Sequence, residues 1–321
     1  MSRSPTQQPN PTLDGHEGHA TPIAIVDALK TVAGNPPKVR ASFAKGQCVR
    51  GRFEPTAEAA NITCSASFTQ ALVVRGRFSM GGGNPHVPDT NKLVVRGLAL
   101  HLGEGAESSD LLVENAPVHF AKSLDQMLAF LRARYPGPNG QPDPAKIKAF
   151  SEANQETLNQ AKFIAARPLP GSFAGTTYWG VHSFKAINAL GETRLIKFKV
   201  VPAAGEIVVR NDDANSLSAD FLFQDLTARI RQGGVRFDVL AILGRPGDPT
   251  EDVTARWPDE DKRATVKLGT IVIDALSDNE TCDTTIFNPS NLADGIIPPT
   301  DEIFTARAQA YAASLAKRRN Q

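Results

Sequence analysis

Histidine and cysteine are scarce in this chain, and net charge is nearly absent. Of 321 residues, six are histidine and three are cysteine, and 35 Lys and Arg stand against 34 Asp and Glu for a formal charge of +1. With no basic excess to steer association, nucleic acid and anionic membranes are not expected partners. Cys48, Cys64 and Cys282 lie far apart and form no C-x-x-C pair. That spacing suggests neither a zinc cage nor a dense disulfide framework, and it points to a reducing compartment. The opening stretch MSRSPTQQPNPTLDGHEGH has no apolar core of the secretory kind. It reads as a disordered arm over 1–20 of a cytoplasmic protein, the periplasm being the alternative had a leader preceded it, and His16 and His19 in it read as solvated. No H-E-x-x-H, G-x-S-x-G or Walker A motif occurs.

What is present is ordinary globular material, 41% hydrophobic and 21% charged, which argues against a largely disordered chain and against a multi-span membrane protein. A helix is expected over 22–32, stopped by Gly34-Asn35-Pro36-Pro37. Short β-rich runs follow at 47–53, 72–79, 92–102 and 111–114. Helical spacing marks 124–134 and 144–166, and strands return at 178–188 and 194–200. A helix over 219–231, strands at 235–243 and 265–273, a long irregular stretch and a final helix over 301–319 complete the chain. Strands so close in sequence favour an antiparallel sheet over βαβ units. The expected fold class is therefore α+β, one domain over 21–321 around a central antiparallel barrel. Gly81-Gly82-Gly83-Asn84-Pro85 reads as a hairpin connection, because Pro85 and Pro88 prevent the helix that a phosphate loop would need.

The final helix carries the chemistry. Arg307, Tyr311, Ser314 and Arg318 stand at i, i+4, i+7 and i+11, a single stripe at 3.6 residues per turn. A guanidinium one turn from a phenol favours the phenolate, the form that ligates ferric iron well. The same pair also occurs on amphipathic helices that bind nothing.

Other segments give the stripe a context. Val39-Arg40-Ala41-Ser42-Phe43-Ala44-Lys45-Gly46 resembles the R-x-x-H-A-K-G segment of haem catalases. Val74-Arg75-Gly76-Arg77-Phe78-Ser79 resembles their V-R-F-S segment, and Arg96-Gly97-Leu98-Ala99 their R-G-F-A. Asp110-Leu111-Leu112-Val113-Glu114-Asn115-Ala116-Pro117 is similar to D-L-V-x-N-x-P. Tyr178-Trp179-Gly180-Val181-His182-Ser183-Phe184, Asn288-Pro289-Ser290-Asn291-Leu292 and Arg307-x-x-x-Tyr311 follow in order. The resemblance runs from about residue 37 to 319 and is nearest to the small catalase-related peroxidases. It implies a catalase-like barrel with haem b buried between barrel and last helix. Tyr311 would be the iron ligand and Arg307 its charge partner. Arg40, Arg77 and Arg318 would hold the propionates, and Asn115 would stand on the opposite, peroxide-binding side. A small-molecule peroxide and an electron donor would be the partners, and a homo-oligomer is possible.

The departure is Phe43, where the family carries a histidine that shuttles the peroxide proton. Loss of such a group costs about 10²–10⁴ in rate, so weak hydrogen peroxide dismutation and reduction of bulkier organic hydroperoxides are expected. His119, four residues after Asn115, is a candidate replacement, whereas His86, His101 and His182 read as structural or surface residues. Phe120 and Phe130 either extend the apolar wall or pack in the core. Because Arg40 and Phe43 cannot share one face of a regular strand, a bend is implied near Ser42. The resemblance also admits an allene oxide synthase-like hydroperoxide isomerase, a non-catalytic haem carrier, or a chain that has lost haem.

Overall fold

The computed structural model describes residues 19–210 and 216–320. Helix α1 (Pro22–Val32) starts where Thr21 accepts a hydrogen bond from the Ala24 amide with Pro22 in the first turn, an N-cap arrangement legible in the sequence. Ten strands follow: β1 (Gly46–Pro55), β2 (Leu72–Met80), β3 (Arg96–Leu102), β4 (Ser109–Glu114), β5 (Tyr178–Trp179), β6 (Phe184–Ile187), β7 (Thr193–Pro202), β8 (Val235–Leu243), β9 (Thr265–Leu276) and β10 (Ile296–Ile297). Interspersed are α2 (Ala66–Thr69), α3 (Leu124–Arg132), α4 (Pro144–Ala153), α5 (Asn159–Ala165), α6 (Phe221–Arg231), α7 (Asn279–Asp283) and α8 (Glu302–Arg319). The class is α+β, as expected. Among the described residues no helix is long and apolar enough to cross a membrane.

Antiparallel pairing runs β4-β3-β2-β1-β9-β8-β7-β5 and back to β4, closing an eight-stranded barrel, with β6 and β10 extending from β7. Alternation along each strand sends one set of side chains inward. Val74, Phe78, Leu98, Leu100, Val113 and Phe198 fill the interior, and burial of each such side chain stabilises the fold by about 1.5–3 kcal/mol. The other parity faces outward, where the loop before β1 lays Phe43 against Gly97 and is itself tied to α8 through Ser314. The site is therefore on the outer wall of the barrel, not inside it.

Four expectations are corrected. The helix over 144–166 is broken at Asn154, whose side chain donates to Phe150 O and accepts from Gln126 Nε2, so α4 and α5 are separate. The run 178–188 is two strands, because Gly180 to Ser183 leave the sheet. The strand at 92–102 begins only at Arg96, since Asn91 caps a turn through the Leu93 amide. Residues 19 and 20 are docked on Asp125 of α3 and do not belong to a free arm. Residues 1–18, including His16, lie outside the described residues.

Cys48 on β1 and Cys282 on α7 are joined as a disulfide across 234 positions. Away from the site, Lys197 and Glu260 are buried together at 2.9 Å, with Lys197 also donating to Pro117 O. Removing one partner strands the other charge. Glu260→Ala is expected to lower unfolding stability by about 3–5 kcal/mol in urea titration.

Candidate functional site

Strand register places Ser79, Gly97 and Glu114 in one row across the outer wall, because Ser79 pairs with Gly97 and Gly97 with Glu114. Phe43 lies over the middle of this row. A Cβ on Gly97 would come within 2.8 Å of the Phe43 ring and 3.1 Å of Ser79 Oγ, so only glycine leaves room for the ring. The bend expected near Ser42 falls on Phe43 itself, at φ 53°, a left-handed conformation that a bulky side chain rarely adopts. It is held by its surroundings: Arg77 donates to Phe43 O at 2.8 Å and Ala44 O at 3.0 Å, and the Ala44 amide donates to Gly82 O.

Asn115 does not join this row. Its Oδ1 accepts from the Arg96 amide at 2.8 Å and its own amide donates to Arg96 O, so it prolongs the β3–β4 pairing and closes the end of the barrel. The reason is parity: Asn115 follows the outward-facing Glu114 and turns the other way. Glu114 takes the place expected of Asn115. One oxygen accepts from Gln160 Nε2 of α5 at 2.7 Å, and burial, opposed by Arg307, pushes the carboxyl up to about 7.

Opposite the wall, the stripe on α8 acts as a unit. Arg307 donates to Tyr311 Oη from Nε at 3.2 Å and from its terminal nitrogen at 2.6 Å. Ser314 Oγ accepts from the Ala41 amide at 3.2 Å, joining α8 to the loop that carries Phe43. Arg307 also donates to His182 Nε2 at 3.0 Å, and His182 Nδ1 is 2.9 Å from Asp301 Oδ2. A guanidinium is never an acceptor. His182 Nε2 must therefore accept, and its single proton lies on Nδ1 toward Asp301. Burial, with Arg307 adding to it, keeps this histidine below its ordinary range. Asp301 also caps α8 through the Phe304 amide at 2.8 Å. The line Asp301, His182, Arg307, Tyr311 thus aims two N–H groups at the phenol oxygen.

His182 had read as a structural or surface residue, and its role escaped the sequence because β5 ends three residues before it. The available signal was the break at Gly180, which a continuous strand reading conceals. His119, the candidate replacement, is engaged by its own segment and by aromatic neighbours. Its Nδ1 sits 2.8 Å from Ala121 O, its ring lies against Phe120, which packs on Phe130, and burial holds it down at about 4. His101 is paired with Asp110 at 2.5 Å, and His86 stands in the loop after β2.

At the far end, Arg40 and Arg318 meet α7 and the turn after it, and Arg77 lies within their electrostatic reach. Arg40 donates to Cys282 O at 2.6 Å, and Arg318 donates to Asp283 O at 3.0 Å and Thr285 O at 2.8 Å. One carboxylate, Asp283, lies 3.6 Å from Arg40 Nε. Burial lowers all three, opposed at Arg40 by Asp283 and Tyr311 and reinforced at Arg77 and Arg318 by repulsion from Arg40, which brings Arg77 to about 9 and Arg318 to about 10. The buried Nε atoms of Arg40 and Arg77 have no hydrogen-bond partner among the described residues. Two buried cations and a half-buried third stand near one carboxylate with donors left over, an arrangement that suits anionic groups.

Residues 24–320 match the family model described as Catalase. A catalase-related peroxidase of Synechococcus elongatus is 36% identical over 303 residues, covering 93% of this chain and 88% of that protein. One from Mycolicibacterium paratuberculosis is 31% identical over 308 residues, covering 93% and 95%. A catalase of Vibrio vulnificus is 25% identical over 307 residues, of which this chain spans 60% of the length. In structure, the chain is similar to a fungal catalase with a TM-score of 0.78 at 21% identity, covering 99% of this chain and 66% of that one. At that identity the likeness bears on the fold alone.

Proposed function

The chain belongs to the catalase family, and from that premise we propose that it is a haem-dependent peroxidase, a peroxide-acting oxidoreductase that reduces organic hydroperoxides using a small electron donor. The observation that carries the choice of substrate is Phe43, an apolar ring packed over Gly97 beside Ser79, where the family resemblance puts an acid–base histidine.

The residues present fit haem b. The unpaired buried guanidinium donors on Arg40 and Arg77, beside Arg318, suit two propionates, since forked N–H groups pair well with carboxylates. Tyr311 Oη, held by Arg307, suits an iron ligand. A haem held there would supply the iron at which a peroxide is reduced. Arg307 stabilises negative charge on the Tyr311 oxygen, and His182 with Asp301 orients Arg307. Arg77, through the carbonyls of Phe43 and Ala44, also keeps the Phe43 ring on the wall. That ring offers packing area to an alkyl or aryl group and no hydrogen bond to a small polar peroxide.

The test compares phenol oxidation by cumene hydroperoxide with oxygen release from hydrogen peroxide in the purified haem protein. Phenol oxidation is expected to dominate. Oxygen release at rates ordinary for catalases would overturn the assignment to organic hydroperoxides.

A further inference from the structure

Resting on that reading, we propose that Glu114 is the acid–base group of the peroxide-binding side, taking the part that Phe43 cannot. Three observations converge on it. Register sets Glu114 beside Gly97, and the Phe43 ring and Ser79 Oγ crowd that same glycine, so the carboxyl stands next to the surface against which a peroxide would lie. Gln160 Nε2 fixes one carboxylate oxygen at 2.7 Å, and among the described residues the other makes no hydrogen bond. One oxygen is thus oriented and its twin is free to exchange a proton.

The groups facing the carboxyl also leave it able to exchange a proton near neutrality. Gly97 on β3, Trp179 on β5 and Gln160 on α5 carry no charge, and among the described residues Arg307 on α8 is the cation that acts on it. Burial outweighs that cation and brings the carboxyl up to about 7. A proton-transfer group works best when its pKa is near the working pH.

The chemistry balances. The free oxygen of Glu114 takes the proton of the hydroperoxide ROO–H and returns it to the RO oxygen as the O–O bond breaks with both its electrons on that oxygen, giving ROH. The remaining oxygen becomes water with two electrons and two protons from a one-electron donor of the phenol class. In sum, ROOH and two ArOH give ROH, H2O and two ArO radicals. Glu114 is a carrier and is unchanged at the end.

Glu114→Gln keeps the shape and the acceptor for Gln160 while removing the proton exchange. In the haem-loaded protein it is expected to slow the reaction with cumene hydroperoxide by about 10²–10⁴-fold while the Soret band stays in place. Glu114→Asp should recover part of the rate. Two further readouts do not depend on turnover. An infrared band of protonated carboxyl should grow as pH falls through about 7 and be absent from Glu114→Gln. Affinity for cyanide, whose acid must give up its proton to a base when it binds iron, should fall in the same variant. An unchanged hydroperoxide rate and cyanide affinity in Glu114→Gln, with the Soret band intact, would overturn the role of Glu114 and leave the haem reading standing. Absence of any Soret band in the unaltered protein after haem loading would overturn both.

Discussion

Phe43→His is expected to raise oxygen release from hydrogen peroxide by about 10²-fold or more, the usual worth of a placed acid–base group. The backbone already suits the exchange. Position 43 sits at φ 53°, where histidine is several-fold enriched and a bulky apolar residue is an outlier. The left-handed conformation costs on the order of 1–3 kcal/mol for the present side chain, and it persists because Arg77 grips the carbonyls of residues 43 and 44. An imidazole there would stand on the Gly97 floor beside Ser79, with Glu114 one strand away. The measurement is oxygen evolution under saturating hydrogen peroxide, with haem content held equal. A histidine variant that stays within threefold of the parent would show that the ring at position 43 does not limit dismutation.

Tyr311→Phe is expected to lower haem affinity by more than about 100-fold, beyond the 10–100-fold ordinarily lost with the outer partners of a ligand. The variant removes one oxygen and leaves the frame intact. Arg307 keeps its hydrogen bond to His182, His182 keeps Asp301, and Asp301 still caps α8, so the helix is expected to fold. Haem transfer to apomyoglobin and the Soret amplitude measure the effect, and far-ultraviolet circular dichroism checks the fold. Retention of the parent spectrum and transfer rate would remove Tyr311 from the iron.

The stripe on α8 shows what linear spacing reveals. Arg307, Tyr311, Ser314 and Arg318 share a face because a helix repeats every 3.6 residues, and all four do meet partners along the site: Arg307 and Tyr311 each other, Ser314 the Ala41 amide, Arg318 the α7 carbonyls. Asn115 shows where a motif misleads. In Glu114-Asn115 two polar neighbours compete for one role, and the motif does not state which of them faces the wall. Strand parity decides for Glu114. His182 was obscured for a related reason: its partners Asp301 and Arg307 are more than a hundred positions away, and no local pattern links them.

The sequence by itself determined the α+β class, the first and last helices, the helical stripe and the absence of a histidine at position 43, because these depend on short-range periodicity and residue identity. Tertiary structure alone decided that Glu114 and not Asn115 faces Phe43, that His182 backs Arg307, and that Cys48 meets Cys282. Each of these depends on the closure and register of the barrel. Shifting the register by one residue would send a different set of side chains to the outer wall.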